Sequence, residues 1–244
     1  MKNQFKNIQI LFVFLIGTIL FGQEKLKITY EGSMTFDETN STSKFAGRVL
    51  PSDFELIIAE DKSEFNYIEK LIAQQEDYHP IHQMTSNHYF IDLKEKTFFV
   101  EEDIFGKKYL VSDSLMKYNW KIEKETKEIL GYSVRKATAI IEENVNGADV
   151  VATAWYASKL SYALGPELYG GLPGLILEMD VTGTTAENAI WTDKYVVQKV
   201  EVLNDDYKIK FPKGKSISYE EAERIGDEYF DKINEMYSDG VDKD

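Results

Sequence analysis

The chain has 244 residues, no cysteine and a formal net charge of −14 at pH 7. Without cysteine there are no disulfides, thiol nucleophiles or thiolate metal sites, and the acidity disfavours nucleic acid and anionic membrane surfaces, both of which are bound through basic patches. A hydrophobic content of 43%, with 13% aromatics, argues against disorder and supplies material for a large core.

Residues 1–23 have the form of a secretory signal. Lys2 and Lys6 provide a basic start, Ile8 to Phe21 an apolar run, and Gly22 a small residue for cleavage. The run is short for a membrane span, and no cysteine follows it to carry a lipid. The mature chain, 24–244, is therefore expected to be exported as a single domain without a transmembrane segment.

Leu26, Ile28, Tyr30, Gly32, Met34 and Phe36 alternate with polar residues, which predicts a long strand with one buried face. Phe54 to Ala59 predicts a second strand. Ser63 can cap a short helix in which Phe65, Ile68, Leu71 and Ile72 share a face. From Tyr89 onward the pattern is an antiparallel meander. Strands near 89–93 and 97–102 flank Lys94-Glu95-Lys96, and strands near 99–104 and 108–112 flank Phe105-Gly106. Asn146-Gly147 is a hairpin signal between 135–144 and 149–156. Strands at 175–182, 189–203 and 207–211 follow. Ser218 and Glu221 form a capping box ahead of an apolar stripe, Ala222, Ile225, Tyr229, Phe230, Ile233 and Tyr237, which predicts a helix lying on the sheet. The expected fold is mainly β (α+β): a curved antiparallel sheet or partly open barrel, with one early short helix and one C-terminal helix packed on it.

The densest turn chemistry is Tyr169-Gly170-Gly171-Leu172-Pro173-Gly174-Leu175-Ile176. Glycine reaches backbone angles closed to other residues, and proline fixes φ. Gly170, Gly171, Pro173 and Gly174 therefore predict a tight, pre-set turn that feeds a strand. Together with Trp120-Lys121-Ile122, Lys127-Glu128-Ile129-Leu130-Gly131-Tyr132, Lys136-Ala137, Ala154-Trp155-Tyr156 and Gly165-Pro166, this run resembles the GLPGLI family of Bacteroidetes secreted proteins, over roughly Tyr30 to Pro212. Where many members carry cysteine, this chain has Val134. The order of turn, strand, charged turn, strand and Phe-Pro is similar, at fold level, to LolA-like periplasmic lipoprotein carriers. The resemblance implies a periplasmic or outer-envelope protein of a Gram-negative bacterium.

Two groups of residues are candidate sites. Trp120, Tyr132, Trp155, Tyr156, Tyr169 and Leu172 are large side chains on predicted strands or turns. They either pack the core or line an apolar pocket on the concave sheet face. All three histidines, His79, His82 and His88, fall within ten residues, with Met84 among them. Imidazole and thioether suit a transition metal such as copper, zinc or nickel, and the competing reading is a solvated loop. No G-x-S-x-G, H-E-x-x-H, P-loop or dinucleotide fingerprint occurs. The expectation is a non-enzymatic binding or accessory protein of the envelope, without a cofactor. It would hold an apolar or peptide-like ligand or dock an envelope protein. A metal-binding accessory protein and a hydrolase with an unrecognised site are the alternatives.

Overall fold

Eleven strands run in one antiparallel sheet built from two consecutive meanders that meet at a central seam. A computed structural model describes residues 24–37, 49–68, 79–80, 88–145, 147–185 and 189–238. The strands are β1 (Leu26–Phe36), β2 (Val49–Leu50), β3 (Ser52–Ala59), β4 (Lys62–Tyr67), β5 (His79–Pro80), β6 (His88–Asp92), β7 (Thr97–Ile104), β8 (Lys107–Ser114), β9 (Lys121–Ile129), β10 (Tyr132–Val145), β11 (Ala148–Ala157), β12 (Leu175–Thr184) and β13 (Ile190–Val202), followed by helix α1 (Tyr219–Ser238). The sheet order is β8-β7-β6-β4-β3-β1-β13-β12-β11-β10-β9, and β2 and β5 pair separately in parallel. The first meander ends at β1 and the second at β13, and these two strands pair from Leu26↔Val202 to Phe36↔Trp191.

Alternation decides which face is buried. Leu26, Ile28 and Tyr30 on β1 lie beside Ile58, Leu56 and Phe54 on β3, and all six are buried. On the seam's other side, Tyr195 and Val197 continue this face. Phe54, Phe65 and Tyr195 form an aromatic knot, with Phe54 stacked 5.5 Å from Phe65 and edge-on 5.4 Å from Tyr195. Further along, alanines 137, 139, 152 and 154 keep the same face shallow. The sheet curls strongly. Residues of β6, β7 and β8 at one end and of β10 near the other border a common hollow.

The mainly β, curved antiparallel architecture matches the expectation, and so does the late helix. Ser218 Oγ accepts a hydrogen bond from the Glu221 amide at 3.1 Å, as an N-cap should. Ala222 is buried, and Phe105 in the β7–β8 turn stacks on Tyr229 at 3.7 Å. Two elements differ. Residues 62–67, read as the start of an early helix from Ser63, form strand β4. Ser63 and Phe65 point inward as alternate residues paired with Ile58 and Leu56, so a period-two pattern prevails over the helical one. Leu71 and Ile72 lie outside the described residues. Residues 207–211, read as a strand, form none. Instead the Lys25 ammonium binds the carbonyls of Asp205 and Tyr207, and Phe211 packs against Phe90 and Phe99.

Candidate functional site

The segment between β11 and β12, residues 158–174, crosses the inside of the curl and builds the site. It is held along its length by backbone bonds. Leu175 N donates to Leu160 O at 3.0 Å, Ile176 N to Leu164 O at 2.9 Å, and Gly171 N to Ala163 O at 3.0 Å. The Tyr162 hydroxyl donates to the Glu24 carbonyl, and Tyr162, Leu164 and Leu172 are buried. Two glycines are required by close approach. A Cβ on Gly170 would lie 2.5 Å from Ala163 O, and one on Gly174 would lie 2.4 Å from Ala157 O. Gly171 takes φ 85°, open to glycine at little cost. Pro173 sits at the centre of a three-residue turn closed by Gly174 N on Leu172 O at 2.8 Å.

This crossing places Glu167 in the lining of a hollow of about 250 Å³. Tyr118, Tyr169, Tyr89 and Tyr219 stand around it, with Glu102 and Glu142 at its wall. Glu167 is itself backbone-strained, at φ 52° without being glycine, a conformation that persists where surrounding structure enforces it. The Tyr195 hydroxyl donates to Glu167 Oε1 at 2.5 Å. Tyr118 and Tyr169 rings lie 5.3 Å apart, Trp120 is 5.8 Å from Tyr118, and the Trp120 indole donates to Gly170 O at 2.8 Å.

Two carboxyls here are pushed up. Burial raises Glu167 above the usual carboxylate range, with the Tyr195 hydrogen bond opposing. Asp193, on β13 two residues before Tyr195 and so on the same face, is raised to about 7, first by burial and then by the nearby Glu167. Asp193 Oδ1 is buried and has no hydrogen-bond partner among the described residues. Burial, followed by the Glu167 charge, also keeps the phenol of Tyr169 protonated far above neutrality. A carboxyl that titrates near 7 beside a second raised carboxyl can take up or deliver a proton at neutral pH. The surrounding phenols and ring faces can hold a polar ligand with apolar patches.

The structure brings together part of the aromatic set named from sequence. Trp120, Tyr156, Tyr169 and Leu172 pack in one cluster, in which Tyr156 and Leu172 are buried. Trp155 instead faces the other side of the sheet, beside Glu178, with the Lys127 ammonium 4.3 Å over its ring. Tyr132 is half-buried at the β9–β10 turn. The histidines divide differently. His82 lies outside the described residues, and His79 pairs with Val49 through β5. His88 is occupied by carboxylates, Nε2 at 2.9 Å from Glu64 and Nδ1 at 3.4 Å from Glu101. Among the described residues no three His, Cys, Asp or Glu side chains are grouped to hold a metal ion. Glu167 and Asp193 were not singled out from sequence. One signal was available for Asp193: Trp191, Asp193, Tyr195 and Val197 alternate, which places an acid on the apolar face.

Residues 40–218 match the family model described as N-glycanase peptide, N-terminal domain. The chain belongs to this family. The match is to this model and not to a GLPGLI one, and it overturns the expectation of a non-enzymatic protein, because the family is defined by a domain of an N-glycanase. A solved structure of PNGF-II aligns with 17% identity and a TM-score of 0.53, covering 83% of this chain and 32% of that one. The shared fold is thus that of a part of PNGF-II, and this chain spans about a third of its length. A LolA superfamily protein from Nitrosomonas europaea aligns weakly, at 7% identity and TM-score 0.30 over 75% of this chain and 88% of that one. A DUF1329 family protein from Desulfovibrio piger gives 10% identity and TM-score 0.27, over 77% and 90% of the two chains. No curated protein matches. No helix among the described residues is long and apolar enough to cross a membrane.

Proposed function

We propose that this chain serves an N-glycanase-type activity of the cell envelope by holding a glycopeptide in the hollow around Glu167. The family supports the reaction class, and the hollow supports a peptide-like ligand. The observation that carries the reading is the Glu167 carboxyl, held in a strained backbone turn and bound by Tyr195, in a hollow that four tyrosines also line. Peptide amides and sugar hydroxyls are donors that such a carboxyl accepts, and the C–H faces of a sugar suit the tyrosine rings. Asp193, raised to about 7 by burial and the nearby Glu167, adds a group beside the site that exchanges protons at neutral pH.

The test is calorimetry of the whole chain with an N-glycosylated peptide, the same peptide without its glycan, and the free glycan. The glycosylated peptide should bind best, and Glu167→Gln should weaken it about 10- to 150-fold, the worth of a charge-assisted hydrogen bond. Mass spectrometry of the same mixtures reports whether the glycan is released. Equal binding of glycosylated and bare peptide, or no effect of Glu167→Gln, overturns the reading.

A further inference from the structure

Beyond the wall formed by Met116 and Leu168, a second depression of about 510 Å³ opens to the surface. Its size lies within the range of small-molecule sites. Leu93, Leu115, Leu164 and Leu168 line it, and the bare backbone of Gly170 and Gly171 closes one side. Met116 stands at its lip, 42% exposed. An open aliphatic trough of this kind leaves apolar surface in water, which a hydrocarbon ligand would relieve.

The rim supplies the second observation. Lys96 and Lys117 both border the trough and are exposed, and neither forms an ion pair with another described residue. Several other lysines of the sheet are matched, as in Lys127–Glu178 at 2.6 Å, Lys136–Glu125 at 3.2 Å and Lys194–Asp180 at 3.2 Å. In a chain of net charge −14, what marks Lys96 and Lys117 is their place: two unpaired cations on the rim of one aliphatic trough give it a local positive potential. A ligand that uses both features has a hydrocarbon tail and an anionic head. We propose that this trough binds a straight-chain fatty acid, with its tail over Leu93, Leu115 and Leu164 and its carboxylate toward Lys96 and Lys117. This site shares the Met116–Leu168 wall with the Glu167 hollow, but its head-group contacts, Lys96 and Lys117, border the trough alone, so it stands independently of the glycopeptide reading.

The experiment titrates laurate, 1-dodecanol and dodecylamine into the whole chain, below the concentrations at which they form micelles. Calorimetry reads binding, and Trp120 emission serves as a second signal because its indole is bonded to Gly170 at the trough wall. Laurate should saturate at one site per chain. The Lys96→Glu/Lys117→Glu variant should bind laurate at least about tenfold more weakly and dodecylamine more tightly, with dodecanol little changed, because only the head-group charge is reversed. Both lysines are exposed, so the variant keeps the fold, which circular dichroism verifies. Met116→Glu, with neither lysine altered, should likewise weaken laurate about tenfold by setting a carboxylate at the lip. Equal laurate affinity in wild type and the charge-reversed variant overturns the carboxylate assignment. Absence of saturable binding by laurate and dodecanol alike overturns the site, as does displacement of laurate by an apolar peptide with no dependence on the lysines. Glycopeptide titrations on the Lys96→Glu/Lys117→Glu variant, whose residues do not line the Glu167 hollow, separate this result from that site.

Discussion

Gly174 sits at φ 159°, at the border of extended backbone, so replacing it by alanine chiefly tests whether close backbone approach shapes the turn before β12. The added methyl would lie 2.4 Å from Ala157 O and 2.7 Å from Ala157 C. A carbon–oxygen contact normally sits near 3.3 Å, so the two backbone stretches must part by roughly 1 Å. No side-chain rotation can relieve this, since both partners are main chain. The displaced stretch carries the bonds Leu160 N to Ala157 O at 3.1 Å and Leu175 N to Leu160 O at 3.0 Å. Losing two such bonds costs about 1–3 kcal/mol, and disturbed packing around Leu160 and Leu175 about 1–3 kcal/mol more. The expected loss is therefore about 2–6 kcal/mol. Gly171 provides the internal comparison. It has φ 85° with nothing within 4 Å of an added Cβ, so Gly171→Ala should cost only the left-handed strain. That strain amounts to about 1–2 kcal/mol. Urea unfolding followed by tryptophan fluorescence gives both values, provided the slope m is unchanged. If Gly171→Ala proves as costly as Gly174→Ala, or if Gly174→Ala stays within about 0.5 kcal/mol of wild type, the close-approach account is wrong.

Asp193→Asn tests the raised carboxyl. Because the folded pKa is about 7 against an ordinary 3.8, folding favours the protonated form. The wild type should therefore lose stability as pH rises from about 4 through 7, and the variant should lose less, keeping only the part due to Glu167, so that at pH 8 the variant is more stable by about 1–3 kcal/mol. Urea midpoints of both proteins at pH 4.5 and pH 8 check this, and a difference that does not change with pH counts against it. Tyr30→Phe removes a fully buried hydroxyl that donates to Ile176 O at 2.6 Å. With that carbonyl left unpaired, thermal and urea unfolding should show a loss of about 1–3 kcal/mol, and a neutral result would mean that the carbonyl finds another donor.

Much of the sheet was legible because its code is local. The alternation from Leu26 to Phe36, the Lys94-Glu95-Lys96 turn and the Asn146-Gly147 signal each specify a strand or a turn without reference to distant residues. The helix start at Ser63 was misplaced because Phe65, Ile68, Leu71 and Ile72 satisfy a helical spacing, while Ser63 and Phe65 also satisfy a strand spacing. The choice was made by β3, whose Leu56 and Ile58 receive them. The site was less legible. Trp155 and Tyr156 are neighbours, yet one lies under Lys127 outside and the other is buried inside, and only the register with β12 decides this. Glu167 carries no sequence signal of its own. Its role comes from a φ of 52° and from Tyr195, which is 28 positions away.

The seam between β1 and β13 governs the order in which the molecule can assemble. Most neighbours in the sheet are close in sequence, but Leu26 finds Val202 only across nearly the whole described chain. The first meander can form while β1 still presents a bare row of amide and carbonyl groups, and that row stays open until residues 190–202 arrive. Closing a loop of this length is slow relative to hairpin formation. Refolding should therefore show an early phase for β3–β8 and a late one for the seam. Fragments that stop before Ile190 would keep an exposed strand edge able to capture a second chain, so β13 also serves to end self-association.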